Sequence, residues 1–380
     1  MPSRRQFCIA STLTTTLGPW QSTQAQSANK IILGQSAPFT GPAAQLGIQF
    51  FEGAKLYFEA VNAKGGIGGK TIELLKLDDG YEPERSVANT KQFIAEGVFA
   101  LFGYIGTPTS VAALPLATEA KIPFFAPFTG AQALRDPFNR YAVHVRASYF
   151  DETAAIVKQN TSLGIKKIAV FYQNDAYGKA GLEGVERALK ELNLKIAGLG
   201  TVERNSVDVK KAVADIMVQQ PESIVQIGAY KGCAAFIREA RKAGFSGTFY
   251  NVSFVGTKAL SVELGKDARG VVVSQVMPFP FAANTPLVTE YQAAVQAVAA
   301  TNKEVSINYS SLEGFVAAKV FTEVLGRAGR NPTREAFISA VEGIQNVMLG
   351  GFLVNFGPKN HSGSKFVEMT LLTEDGRVRH

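Results

Sequence analysis

The chain has 380 residues, 46% hydrophobic and 19% charged, which is ordinary globular composition and about two domains by length. Its formal charge of +7 is dispersed, with no run of five basic residues and no interleaved aromatics, so nucleic acid is not expected as a partner. With histidine only at positions 144, 361 and 380, there is little material for a zinc cluster or a histidine-based triad.

The first predicted element is an export signal. Arg4 and Arg5 precede a weakly apolar run from Phe7 to Leu17, and small residues follow around Ala25 and Ala28, the order of a cleaved leader. The run is far short of the ~20 apolar residues that a transmembrane helix needs. Ser3-Arg4-Arg5-Gln6-Phe7 further resembles a twin-arginine signal, with Sec export as the alternative route. Cleavage between Ala25 and Asn29 would release a periplasmic protein in which Cys233 has no disulfide partner. In "GAYKGCAAFIREARKAG" that cysteine fits a helix-to-sheet contact better than a nucleophile.

From Lys30 onward strands and helices alternate: "KIILGQ", a helix near 45–63, "TIELLKL", a helix near 84–96, "FALFGY", a helix near 109–121, then "PFFAPF". Between the first helix and the second strand lies "NAKGGIGGKT", which poses the question of a phosphate loop. A P-loop needs G-x-x-x-x-G-K-[ST] between a strand and a following helix. Here Lys64 occupies the first glycine position and the order of elements is reversed, so the glycines read as a tight helix-to-strand turn. Asp78 and Asp79 follow the second strand, where adjacent carboxylates point to opposite faces and turn capping is the better reading.

After "YAVHVRAS", where His144 reads as a satisfied strand residue, the rhythm restarts. A helix is expected at 151–163, then "KKIAVFYQ", a helix at 177–192, "LKIAGLGTV", a helix at 207–219, "SIVQIGA", a helix at 231–243, "GTFYNV" and "GVVVSQV". Helices near 286–301, 309–328 and 333–342 follow, and the chain ends in strand-like "GFLVNF" and "KFVEMTLLT". Two such runs predict two doubly wound α/β lobes, whose ligands sit outside the carboxyl ends of the strands. The turns at those ends, among them "GYIGTPTS", "RASYFDE", "QNDAYGK" and "GAYKG", hold hydroxyls, aromatics and glycines. Neither G-x-S-x-G nor H-E-x-x-H occurs, so no catalytic residue, metal or cofactor is expected.

"GQSAPFTGPAAQLGIQFFEGAKLYFEAVNAKGG", "ALFGYIGTPTSVAALPLATEAKIPFFAP", "KKIAVFYQNDAYGKAG" and "YSSLEGFVAAKV" fall in the order of blocks in periplasmic leucine/isoleucine/valine-type solute-binding proteins, and the chain resembles that family over nearly its whole mature length. The resemblance implies two Rossmann-like lobes joined by three crossover segments, the type I periplasmic binding protein fold. It places the export signal at 1–28, one lobe at 29–147 and 276–355, and the other at 148–275 and 356–380. It further implies a monomer that delivers a small amino acid, carboxylate or amide to the permease and ATPase subunits of an ABC importer. A ligand-sensing receptor domain of the same fold is the alternative.

Carried over position by position, the family's pocket falls on Thr107 as carboxylate ligand and on Phe128 and Thr129 as a segment offering backbone groups. Tyr149, Tyr177 and Tyr230 match ring positions, and Leu46 stands where leucine-type proteins have an aromatic residue. Two departures matter: Gly130 stands where the family has a threonine, and Ser253 where it has the glutamate that binds the ligand ammonium. An α-ammonium in a closed cleft needs an acid, so weaker selection for the amino group is expected.

Overall fold

The computed structural model describes residues 29–303 and 305–380, so the expected export signal lies outside the described residues. The first lobe opens with β1 (Lys30–Ala37), α1 (Ala44–Ala63), β2 (Thr71–Asp78), α2 (Pro83–Ala95), β3 (Ala100–Phe102), α3 (Thr107–Glu119), β4 (Phe124–Phe125) and β5 (Ala142–Val143). These strands form one parallel sheet in the order β2-β1-β3-β4-β5. β1, β3 and β4 are short, largely apolar runs, as expected of strands covered on both faces.

The second run supplies α4 (Tyr149–Ser162), β6 (Ile168–Gln173), α5 (Ala176–Glu191), β7 (Leu199–Val202), α6 (Lys210–Met217), β8 (Ser223–Ile227), α7 (Tyr230–Lys242), β9 (Thr248–Asn251), α8 (Thr257–Leu264) and β10 (Val271–Gln275). The chain then passes through α9 (Pro286–Val298), α10 (Tyr309–Arg327) and α11 (Arg334–Glu342). It continues through a hairpin of β11 (Val347–Leu349) and β12 (Phe352–Val354) and ends in β13 (Glu368–Leu372) and β14 (Val378–Arg379). The second sheet runs β14-β13-β10-β9-β8-β6-β7; it is parallel from β7 to β10, and β13 and β14 add to its edge antiparallel.

Two departures from the sequence reading concern short elements. α8 was not expected, because eight residues are too few for helical periodicity to stand out. The strand expected over "GFLVNF" joins neither large sheet and pairs only with β11.

The glycine-rich turn is a helix-to-strand connection. Gly65 and Gly66 adopt φ of 95° and 73°, and the Gly66 N–H closes the end of α1 on the Val61 carbonyl at 3.0 Å. The Asn62 side chain then clamps both backbone groups of Ile72 at 2.8 Å, which fixes β2 beside the helix. No phosphate-facing helix follows the turn.

α10 returns to the first lobe and packs on α1 at very short range. A Cβ on Gly53 would lie 1.8 Å from the Ser311 carbonyl oxygen, and one on Gly314 would lie 2.0 Å from that of Phe50, so each helix needs the other's glycine. This contact returns the chain after β10 to the first lobe and brings the first turns of α10 to the back of the inter-lobe region.

Candidate functional site

The strand orders locate the crevices. In the first sheet the winding reverses between β1 and β3, and in the second between β6 and β8, and ligands of open α/β sheets lie at such switch points. Leu46 is in the first turn of α1, just after β1, and Thr107 is the first residue of α3, just after β3. Tyr177 is in the first turn of α5 after β6, and Tyr230 is the first residue of α7 after β8. Tyr149 opens α4, Ser253 opens a single 3-10 turn (Ser253–Val255), and Phe128 and Thr129 follow β4. All eight are buried.

Five of them form one continuous cluster with residues that sequence reasoning missed. The hydroxyls of Thr107 and Thr129 are 2.6 Å apart, and that of Thr129 lies 3.4 Å from the Tyr149 hydroxyl. The Tyr149 ring is 5.4 Å from that of Tyr177, which is 4.5 Å from Phe254. Phe254 reaches across to Phe128 at 5.5 Å and Tyr81 at 6.0 Å, so rings from both lobes meet. Burial raises the Tyr149 hydroxyl to about 12 and also raises Tyr177 well above its usual value, which keeps both as neutral hydrogen-bond groups. Leu46 and Tyr230 meet the opposite lobe at a neighbouring seam. A Cβ on Gly256 would be 2.5 Å from the Leu46 side chain, and the Tyr230 hydroxyl engages the Gln45 backbone.

Ser253 leads to the second feature that the sequence did not disclose. Its N–H and hydroxyl donate to the Glu152 carboxylate at 2.7 and 3.0 Å, and Ser274 donates to the same group at 2.6 Å. A carboxylate from α4 thus lies beside Ser253, with its charge engaged. Arg146, 1% exposed, donates through Nη2 to the Ser253 hydroxyl and lies 3.6 Å from Glu152 and 3.6 Å from Glu313 of α10. Its guanidinium carbon lies 4.7 Å from the Phe128 ring centroid, within cation–π range. Arg146 and Glu152 belong to the post-strand segment "RASYFDE", where charges beside a helix start read as solvated; only the fold brings Glu313 to them.

Burial raises the Glu313 carboxyl to about 7 despite Arg146. Because the folded state then holds a proton that the unfolded chain gives up at about 4.3, Glu313 lowers stability progressively as pH rises from there to about 7. Glu313→Gln is expected to be near neutral at pH 4.5 and to gain up to about 3 kcal/mol relative to wild type by pH 8. Paired urea titrations at the two pH values check this. Asp79, raised by burial to about 7 while accepting from Ser36 at 2.7 Å, titrates in the same window in both proteins and cancels in the comparison.

The lobes also meet through polar contacts of the turn after β2. Arg204 donates to Glu82 at 2.7 Å, and Asn205 donates to Glu82 at 2.8 Å and to the Gly80 carbonyl at 3.1 Å. Tyr81, at a φ of 68°, is fully buried between them, with its hydroxyl 3.3 Å from Gln173. Lys258 of α8 donates to Ser306, just before α10, at 2.5 Å.

Other candidates resolve as structural. His144 is buried with Nε2 3.0 Å from the Leu134 carbonyl, and burial holds its ring well below its usual value, as a neutral donor. Cys233 is buried against the second sheet and burial pushes its thiol up. Asp78 and Asp79 cap the turn that follows, accepting from the Gly80 and Tyr81 amides at 3.0 and 2.8 Å. Among the described residues no cluster is placed to hold a metal ion, and no helix is long and apolar enough to cross a membrane.

Comparison with known proteins agrees with the fold. Residues 30–376 match the model of the family described as periplasmic binding protein. A Leu/Ile/Val-binding protein homolog from Brucella melitensis is 26% identical over 93% of this chain and 92% of its own. A crystal structure of a possible leucine/isoleucine/valine-binding protein from Rhodopirellula baltica superposes with a TM-score of 0.88 at 34% identity, covering 93% of this chain and 96% of that one. A substrate-binding periplasmic protein from Ralstonia solanacearum gives 0.86 at 32% identity, covering 92% and 99%.

Proposed function

Because the chain belongs to the periplasmic binding protein family, we propose that it is the substrate-binding component of an ABC importer, which traps a small carboxylate between its lobes. Permease and ATPase subunits at the inner membrane are its partners in this reading, and it reaches them as an exported monomer. The observation that carries the proposal is the meeting of helix N-termini. α3, α4 and α5 begin at Thr107, Tyr149 and Ala176; the hydroxyls of Thr107 and Tyr149 meet at Thr129, and Tyr177 joins the same buried cluster through its ring. Ser148 and Asp175 cap α4 and α5, whereas α3 starts without a side-chain cap, and its N-terminal N–H groups with the positive end of the helix dipole suit a carboxylate there. The aromatic rings around it suit an apolar or flat body.

Closure is the second half of the proposal. The lobes, 29–147 with 276–355 and 148–275 with 356–380, would swing about the crossovers near Ala147, Val276 and 355–365. Opening would separate Glu82 from Arg204 and Asn205, and Tyr81 from Gln173. Relatives named for leucine, isoleucine and valine make apolar amino acids and their deaminated analogues the first probes. Titration calorimetry of each acid against its methyl ester tests the reading. The acids are expected to bind at least tenfold tighter, the worth of one charge-assisted hydrogen bond; equal affinity for the esters would remove the carboxylate from the account.

A further inference from the structure

Among the described residues Arg146 leaves two buried guanidinium nitrogens without a hydrogen-bond partner, where Arg135 and Arg204 each leave only Nε. A guanidinium carries five N–H donors. Of its nitrogens Nη2 donates to Ser253, while Nε and Nη1 are buried and, among the described residues, donate to no hydrogen-bond partner. The two carboxylates beside it lie at 3.6 Å, close enough to balance charge but long for hydrogen bonds. A buried donor left without a partner is costly, and more so when charged.

We propose that Arg146 is a second polar subsite of the cleft, reading an uncharged oxygen acceptor, a carbonyl or a hydroxyl, on the body of the ligand. The position supports it, since the guanidinium lies over the ring of Phe128, beside the segment assigned to the carboxylate end. Charge sets the class of group. Glu152 and Glu313 already supply two acids to one base, so a further carboxylate would be repelled, while an ammonium placed at the guanidinium would face a like charge. A neutral oxygen meets neither cost and satisfies the free donors. 2-Oxo acids, 2-hydroxy acids and amides are therefore the favoured ligands.

This inference rests on the small-carboxylate reading above, and the test separates the two. Two series are titrated into the wild-type protein, one with a phenyl and one with an isobutyl body, each comprising the 2-oxo acid, the 2-hydroxy acid, the 2-amino acid and the unsubstituted acid. The oxo or hydroxy member of at least one series is expected to bind ten times tighter than the unsubstituted and amino acids. If acids bind but the unsubstituted one is within threefold of its oxo and hydroxy analogues, a water serves Arg146 and the inference falls alone. If the amino acid is tightest, the carboxylates rather than Arg146 read the ligand, and it falls likewise. If neither series binds, the small-carboxylate reading falls with it. Arg146→Lys keeps the charge and removes the fork of donors. It should retain affinity for the unsubstituted acid and lose the tenfold preference; a folded Lys variant that keeps the preference overturns the inference.

Discussion

Arg146→Met is expected to destabilise the protein by about 3–5 kcal/mol, because it leaves Glu152 and Glu313 buried without the cation that both face. Methionine has the length to fill the space, so packing loss is small and the effect is mostly electrostatic. Burial raises the Glu152 carboxyl while Arg146 is the strongest influence favouring its charge, so it loses its chief support even though Ser253 and Ser274 still donate to it. The loss should shrink toward pH 5, where protonation relieves the uncompensated charge, and adding Glu313→Gln should recover part of it at pH 8. Urea unfolding at both pH values checks this. A loss below 1 kcal/mol at pH 8 would mean that the cluster is solvated and not a buried hub.

Thr107→Val combined with Tyr230→Ala is expected to abolish binding of the carboxylates that the wild type binds, with either change alone weakening it about tenfold or more. Thr107 offers its hydroxyl and the first N–H of α3, and valine removes only the hydroxyl at nearly constant shape. Thr129 keeps the Ala131 N–H at 3.2 Å and Tyr149 as partners, so the fold should tolerate the change. Tyr230 acts differently, since its contact with the Gln45 backbone joins α7 to α1 across the seam. Calorimetry with the tightest wild-type ligand separates the variants. Wild-type affinity in the double variant would place the ligand elsewhere.

Much of the fold was legible because its strands and helices follow periods that sequence displays directly. Strand order was not, yet the order explains why Leu46, Thr107, Tyr177 and Tyr230 are neighbours of the inter-lobe crevice: each sits in the first turn of the helix that follows a strand flanking a switch point. Tyr81 and Phe254 escaped because nothing local marks an aromatic that crosses to the other lobe. The charged hub escaped for a stronger reason. Arg146, Glu152 and Glu313 look like surface charges in their own segments, and only the return of α10 against α1, permitted by Gly53 and Gly314, buries the third of them beside the other two. Beside Ser253 the fold places an acid, Glu152 of the neighbouring helix, which sequence spacing does not reveal.

Small-angle scattering of the mature protein, alone and with the tightest carboxylate at a hundredfold excess over Kd, tests the central claim that the lobes close on ligand. The account predicts a smaller radius of gyration with ligand, together with about 2.7 kcal/mol of added stability by mass action. Glu82→Ala, which breaks the contact with Arg204 and Asn205, should shift the ligand-free protein further open. Identical dimensions with and without saturating ligand would contradict closure.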